Sequence, residues 1–288
     1  MKGSRTYLTD LPKRRRRQRV VAWALSLFIL LCLCYWGITW LLFRSPLFRV
    51  SAVKFEGVST VSEADVQGLI DRAIFHQTGW RSRVPIIGRM FSWPDRLTQD
   101  DLSFLPRLKE VVIRKDYLRR SIMVRVTERD PAGIWCFAGT HGATTTTATS
   151  AELSASFRCG WFDGDGILFE RAPRGEGSLI QSVDDYSGND FRIGSMVLPV
   201  QFMPNLISIL STMRSSGVNV KEIRIEDLNL EEVKATTYDG PDILFSLRFP
   251  AEDALPVLQS LFTASTSSVA FKNLHYIDFR VEHRAYYK

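Results

Sequence analysis

From Val20 to Phe43 the chain carries no charged residue, and beyond Arg44 the pattern breaks into short apolar runs set among polar positions. As a helix rising about 1.5 Å per residue, that first run reaches roughly 36 Å, more than a hydrocarbon layer of ~30 Å requires. It predicts one transmembrane helix over 20–43. A cleaved signal peptide has a shorter apolar core followed by a small-residue cleavage site, and Phe43-Arg44-Ser45-Pro46 does not supply one. Tyr35, Trp36 and Trp40 near the far end, with Trp23 at the other, match the aromatic belts of a spanning helix.

The next stretch mixes two periods. Val50, Val53 and Phe55 read as a strand ending at Gly57. Thr60-Val61-Ser62-Glu63 then has the hydroxyl-x-x-Glu spacing of a capping box. Val66, Leu69, Ile70, Ala73 and Ile74 follow at helical spacing and mark one buried face. A second, short helix is expected over Asp100 to Phe104, ended by Pro106. Lys109 to Lys115 and Ser121 to Thr127 read as strands, the latter with Ile122, Val124 and Val126 on one face. These elements make a β-α-α-β-β unit over about 44–128. Inside it, Trp80 to Trp93 (insertion about 79–96) alternates arginines with large apolar residues. Two readings stand, a membrane or partner surface and a loop whose aromatic groups fold back on the core.

The second unit, 129–288, is richer in strands. It opens at Thr127-Glu128-Arg129-Asp130-Pro131-Ala132-Gly133-Ile134-Trp135 and continues through a Thr/Ala/Ser-rich stretch at 139–156 with little to bury. Asp163-Gly164-Asp165-Gly166 reads as a glycine-supplied hairpin turn, because a calcium loop started at Asp163 would put Arg174 where its twelfth-position glutamate belongs. Helices are expected around Leu206 to Met213, ended by Gly217, and around Ala254 to Phe262. Strands are expected over Val220 to Ile225, Val233 to Tyr238 and Ile243 to Arg248, and one or two more close the chain from His275 to Lys288.

Charge sharpens the membrane reading. The first nineteen residues hold eight basic side chains, among them Lys13, Arg14, Arg15, Arg16, Arg17 and Arg19, against the single acid Asp10. Of 37 basic and 31 acidic side chains, 29 and 30 remain for the rest, which is close to neutral. A nucleic-acid surface would need its positive charge spread over a folded face, so the basic balance does not point there. With only Arg44 and Arg49 just beyond the run, the positive-inside rule keeps 1–19 as a cytoplasmic basic tail and places 44–288 outside.

Candidate chemistry is sparse. His76, His141, His275 and His283 lack metal-site spacing, and no nucleophile elbow, phosphate loop or dinucleotide fingerprint occurs, so no catalytic residue, metal or cofactor is expected. Cys136 and Cys159 bracket the Thr-rich stretch in a compartment that permits oxidation, and they read equally as a disulfide or as two buried thiols.

The chain resembles the bacterial division proteins FtsQ and DivIB. The likeness is carried by a basic tail and one span, by "FRVSAVKFEGVSTVSEADV" and "FLPRLKEVVIRKDYLRRSIMVRVTERDPAGIW" bounding the first unit, and by "YIDFRVEHRAYYK" at the close. The resemblance implies an α+β protein: a single N-terminal transmembrane helix, a β-α-α-β-β POTRA domain, then a mostly antiparallel β domain with two helices. It implies a non-enzymatic divisome scaffold in the inner membrane, enriched at the septum, that binds the FtsB and FtsL pair outside the membrane. It puts that contact on a terminal strand at Val281, His283, Arg284 and Tyr286, and a weaker one on the second POTRA strand at Val111, Ile113 and Lys115. Asp116-Tyr117-Leu118-Arg119 departs from the aromatic-Pro turn common in the family. Two other readings are a tethered POTRA protein handling polypeptides in export or outer-membrane assembly, and a membrane-anchored enzyme.

Overall fold

The computed structural model describes residues 11–44, 48–78, 89–138, 157–174, 181–188, 190–264 and 271–288. The Thr-rich stretch 139–156 and most of the Trp80 to Trp93 segment lie outside these residues, as do the side chains of Lys13 and Arg14 to Arg17. The chain is mixed α+β, with one apolar N-terminal helix and two sheets. It divides into two compact units.

Helix α1, Leu11–Arg44, starts nine residues earlier than the apolar run because arginine and lysine are good helix formers and Pro12 is tolerated in a first turn. Its segment Arg19–Trp40 has the length and composition of a membrane anchor or signal sequence. The apolar side chains of that segment are exposed, so it is not the core helix of a soluble domain.

Along the chain follow β1 (Ala52–Glu56), α2 (Glu63–Thr78), α3 (Gln99–Leu102), β2 (Leu108–Asp116) and β3 (Ser121–Glu128). Ser59–Val61 and Thr98–Glu110, and with them α3 and the start of β2, group with the second unit, as does the chain from Thr127 on. The three strands lie in the order β1-β3-β2, with β1 parallel to β3. Every apolar position expected on the face of α2 is buried, as are Ile122, Val124 and Val126. Fully burying side chains of this size is worth about 1.5–3 kcal/mol each. Met90 and Trp93 are buried too, so the far end of the arginine and aromatic segment belongs to the core. Gly57 has φ +83°, and a Cβ there would stand 2.2 Å from the Val126 carbonyl oxygen, so only glycine fits.

Both helix starts differ from expectation in detail. The α2 cap is Ser62 rather than Thr60: the Asp65 N–H donates to Ser62 Oγ at 3.1 Å, and Ser62 Oγ donates to Asp65 Oδ2 at 2.6 Å. Helix α3 begins earlier because Thr98 and Asp101 form a reciprocal capping box.

In the second unit, a nine-stranded sheet runs in the order β12-β11-β10-β9-β8-β7-β4-β5-β6 among the described residues. These strands are β4 (Gly133–Ala138), β5 (Phe157–Phe162), β6 (Leu168–Ala172), β7 (Ser182–Asp185), β8 (Val220–Ile225), β9 (Glu232–Thr237), β10 (Asp242–Ser246), β11 (Tyr276–Phe279) and β12 (Tyr286–Tyr287). The sheet is mixed, with antiparallel pairings in the majority. β4–β7, β7–β8 and β10–β11 pair in parallel, against five antiparallel neighbours. Two of the three parallel pairings, β7–β8 and β10–β11, follow from the two helices. α4 (Met203–Ser216) lies between β7 and β8 in sequence and α5 (Ala254–Ala264) between β10 and β11, and a helical crossover returns the next strand parallel. α4 ends at Gly217, in left-handed conformation at φ +76°, where a residue with a side chain would be strained.

One face of this sheet carries the core. Val183, Ile223, Val233, Ile243 and Ile277 alternate inward and are buried with Leu206, Ile209, Leu210 and Met213 of α4 and Leu258 of α5.

The Thr127 to Pro131 motif is structural. Glu128 accepts the N–H groups of Ser59, Thr60 and Val61 at 2.7, 2.9 and 3.2 Å, plus the Ser59 hydroxyl at 2.9 Å. Burial pushes its carboxyl up, but these donors outweigh it and bring it down to about 2. Buried Arg129 donates to the Pro106 carbonyl and pairs with Asp163. The other Asp163 oxygen accepts the N–H groups of Asp165 and Ile167, so this aspartate builds the hairpin turn between β5 and β6.

Candidate functional site

The large sheet ends on one side at β12, and the chain reaches that edge through a turn anchored at both ends. On β11, Ile277 and Phe279 face the core, and Phe279 stacks on its register partner Phe245, ring centroids 5.5 Å apart. Arg280 then fixes where the chain leaves the sheet. Its Nε and Nη2 donate to the two Asp278 oxygens at 3.0 and 2.7 Å, and Nη1 donates to Glu232 at 3.0 Å. Arg280's hydrogen bonds outweigh burial and hold the Asp278 carboxyl below its ordinary range.

Val281 to Ala285 make the turn. The Arg284 N–H donates to the Val281 carbonyl at 3.1 Å. His283 has φ +57°, in the left-handed region that histidine visits more readily than most residues. Its Nδ1 lies 2.6 Å from Asp253 Oδ2, just ahead of α5, which ties the turn to the start of that helix. Tyr286 and Tyr287 then pair antiparallel with Asp278 and Ile277, and the Lys288 N–H donates to the Tyr276 carbonyl at 3.3 Å. β12 therefore covers the edge of β11 and presents its own, with both tyrosines exposed.

Beside the turn lies a groove of about 390 Å³. Phe249, Val257, Val281 and Ala285 give it an apolar lining, while Asp253, Glu282, His283 and Arg284 put both signs of charge along it. A short strand edge next to an apolar groove suits an extended segment that adds main-chain hydrogen bonds and buries one or two side chains.

The structure brings Val281, His283 and Arg284 together at this groove and puts Tyr286 beside them. It corrects their placement, since only Tyr286 lies on the last strand. The other three lie on the turn, because the Arg280 clamp draws the chain out of β11 before Val281. Sequence reasoning missed Phe249, Asp253, Val257 and Tyr287. The acid ahead of an apolar helical run marks a helix start, but nothing local pairs Asp253 with a histidine thirty residues later.

The residues of the second expected contact are buried or paired within the chain. Val111 and Ile113 are 0 % and 3 % exposed, because strand alternation points them into the core. Lys115 is held by Asp95 at 2.7 Å. The outer edge of β2 at this point is taken by the chain itself: the Leu97 N–H donates to the Val111 carbonyl, and the Ile113 N–H donates to the Asp95 carbonyl.

Two other clusters carry chemistry-bearing side chains. Cys136 and Cys159 are register partners on β4 and β5, bonded to each other and buried among Ile134, Phe157 and Trp161. Arg174 donates to Asp184 Oδ2 at 2.8 Å and lies over the Phe157 ring, while the Tyr186 hydroxyl donates to Glu222 at 3.2 Å. Burial, partly offset by Arg174, pushes the Asp184 carboxyl up. Burial and the Glu222 charge raise the Tyr186 phenol to about 12. Among the described residues, no group of three or more histidine, cysteine, aspartate or glutamate side chains could hold a metal ion.

Compared with known proteins, the chain matches no family model and no curated protein.

Proposed function

We propose that this chain is a non-enzymatic scaffold of the FtsQ and DivIB type, tethered by α1 in the inner membrane with its two units outside. It binds an FtsB and FtsL-type pair and so links early division proteins to septal cell-wall synthesis. The β-α-α-β-β unit then corresponds to a POTRA domain, and the nine-stranded sheet to the β domain that follows it.

The observation that carries this reading is the edge strand β12 standing next to the apolar groove at Val281 and Ala285. Backbone pairing along the edge supplies affinity for a partner strand, and the groove selects its side chains. Tyrosine and arginine, here Tyr286 and Arg284, are residue types that anchor interfaces. The buried side chains of β2 take no part in this contact.

The test is capture of FtsB and FtsL-type ectodomains by the full chain in detergent. Tyr286→Ala and Val281→Asp are each expected to weaken capture on the order of tenfold, with far-UV circular dichroism unchanged. Equal binding by both variants removes the assignment to this edge. A fluorescent fusion should form a mid-cell band in dividing cells, whereas even peripheral staining favours a tethered POTRA protein of another pathway.

A further inference from the structure

The β2–β3 hairpin ends in a feature that the fold does not use. Its turn, Tyr117 to Arg120, follows Asp116, whose carboxylate accepts the Arg119 N–H at 3.0 Å and fixes the bend. The two residues that lead the turn are Tyr117, half exposed, and Leu118, 98 % exposed. Tight turns ordinarily take glycine, proline, asparagine or aspartate there. Arg114, Arg119 and Arg120 are exposed around them. From Arg114 to Arg120 four bases stand against the single acid Asp116; Lys115 is paired with Asp95, and Arg119 reaches Asp116 at 3.8 Å with its side chain largely in solvent.

The position of this tip matters as much as its composition. Strand β1 is parallel to β3 with Ala52 opposite Ser121, so the tip lies at the end of the sheet where the chain arrives from α1. The Ser51 N–H donates to the Arg120 carbonyl at 2.8 Å, and Arg120 is in left-handed conformation at φ +51° to present it. Phe48 already packs edge-on against Phe91, and Arg49 bridges Arg89. The path from Arg44 at the end of α1 to Phe48 is four residues, at most about 14 Å, and to Ser51 about 25 Å. A lone exposed leucine needs no explanation. An exposed Tyr-Leu pair ringed by arginines, on so short a tether from an apolar helix, has the composition of an interfacial contact.

We propose that the Tyr117 to Arg120 hairpin tip rests on the membrane surface, with Leu118 and Tyr117 entering the headgroup layer and Arg114, Arg119 and Arg120 meeting anionic lipid phosphates. The inference rests on α1 being a membrane anchor. The tip then acts as a second foothold, limiting the angles at which the first unit stands over the bilayer.

The test uses the full chain in nanodiscs of phosphatidylcholine alone or with added phosphatidylglycerol, read by amide hydrogen exchange at the tip. Exchange should slow with phosphatidylglycerol by about fivefold for each arginine engaged, and the difference should vanish in the double variant Leu118→Ser/Arg119→Glu. Both residues are exposed, so unchanged circular dichroism separates this effect from misfolding. Equal exchange in the two lipids by a chain that stays in the disc overturns the tip contact and leaves the anchor standing. A chain released from the disc by alkaline wash overturns both. A photoreactive residue at position 118 in intact cells should attach to lipid, and attachment to a polypeptide instead assigns the tip to a protein partner and overturns the proposal.

Discussion

Three successive backbone N–H groups, those of Ser59, Thr60 and Val61, end on the one carboxylate of Glu128, whose side chain is 9 % exposed. Removing that acceptor leaves the donors to poorer partners. Glu128→Ala should destabilise the full chain by about 2 kcal/mol in urea denaturation, the range for hydrogen bonds to a charged group. The sign of the pH effect follows from the carboxyl's position at about 2 in the fold against 4.5 otherwise. The stabilisation is complete above 4.5 and is lost as pH falls from there toward about 2. Between about pH 5 and about pH 3 the wild type should therefore lose more stability than Glu128→Gln, compared by urea midpoints. Equal losses remove the role assigned to these bonds. At this scale the sequence marked which residues matter without saying how. Thr127-Glu128-Arg129-Asp130-Pro131 stands out as a motif, yet its long-range partners Ser59 and Asp163 have no local signal.

Elements were legible where a period was clean. The buried stripe of α2 and the alternation of β3 appear in the structure as the sequence implies them. Strand β7 escaped because Ser182-Val183-Asp184-Asp185 carries two acids in four residues. Both are buried by partners remote in sequence, since Arg174 pairs with Asp184 and the Trp135 indole N–H donates to Asp185 at 3.2 Å. The turn at 281–285 escaped for a similar reason, because the clamp that ends β11 depends on Glu232, 48 residues away from Arg280. Strands β4 and β5 are held by a covalent bond as well as by their ladder. Its partners stand 23 residues apart, for which chain entropy gives about 3 kcal/mol. Cys136→Ser/Cys159→Ser, or reductant, should lower stability by roughly that amount. Non-reducing peptide mapping should recover the 136–159 cross-link, and two free thiols at these positions would contradict the bond.

For the whole molecule, the uneven spread of charge is the plainest instruction in the sequence. The whole excess lies in the first nineteen residues, and the remainder of the chain is close to neutral. In the proposed reading this asymmetry sets orientation. Replacing Lys13, Arg14, Arg15, Arg16, Arg17 and Arg19 with glutamine should send a substantial fraction of chains into the membrane inverted. Protease added outside should then spare the second unit in that fraction while digesting it in the wild type. Indifference to the substitution would separate the basic run from topology. The Cys136–Cys159 bond has a further consequence at this scale. It turns the covalent chain from a line into a line with one ring, and the ring contains the whole Thr-rich stretch. Cutting a line makes two molecules; cutting a ring once leaves one. A protease that severs the chain anywhere between the two cysteines leaves β4, and the apolar helix before it, covalently joined to β5, and with it the rest of the sheet out to the tyrosines at the edge.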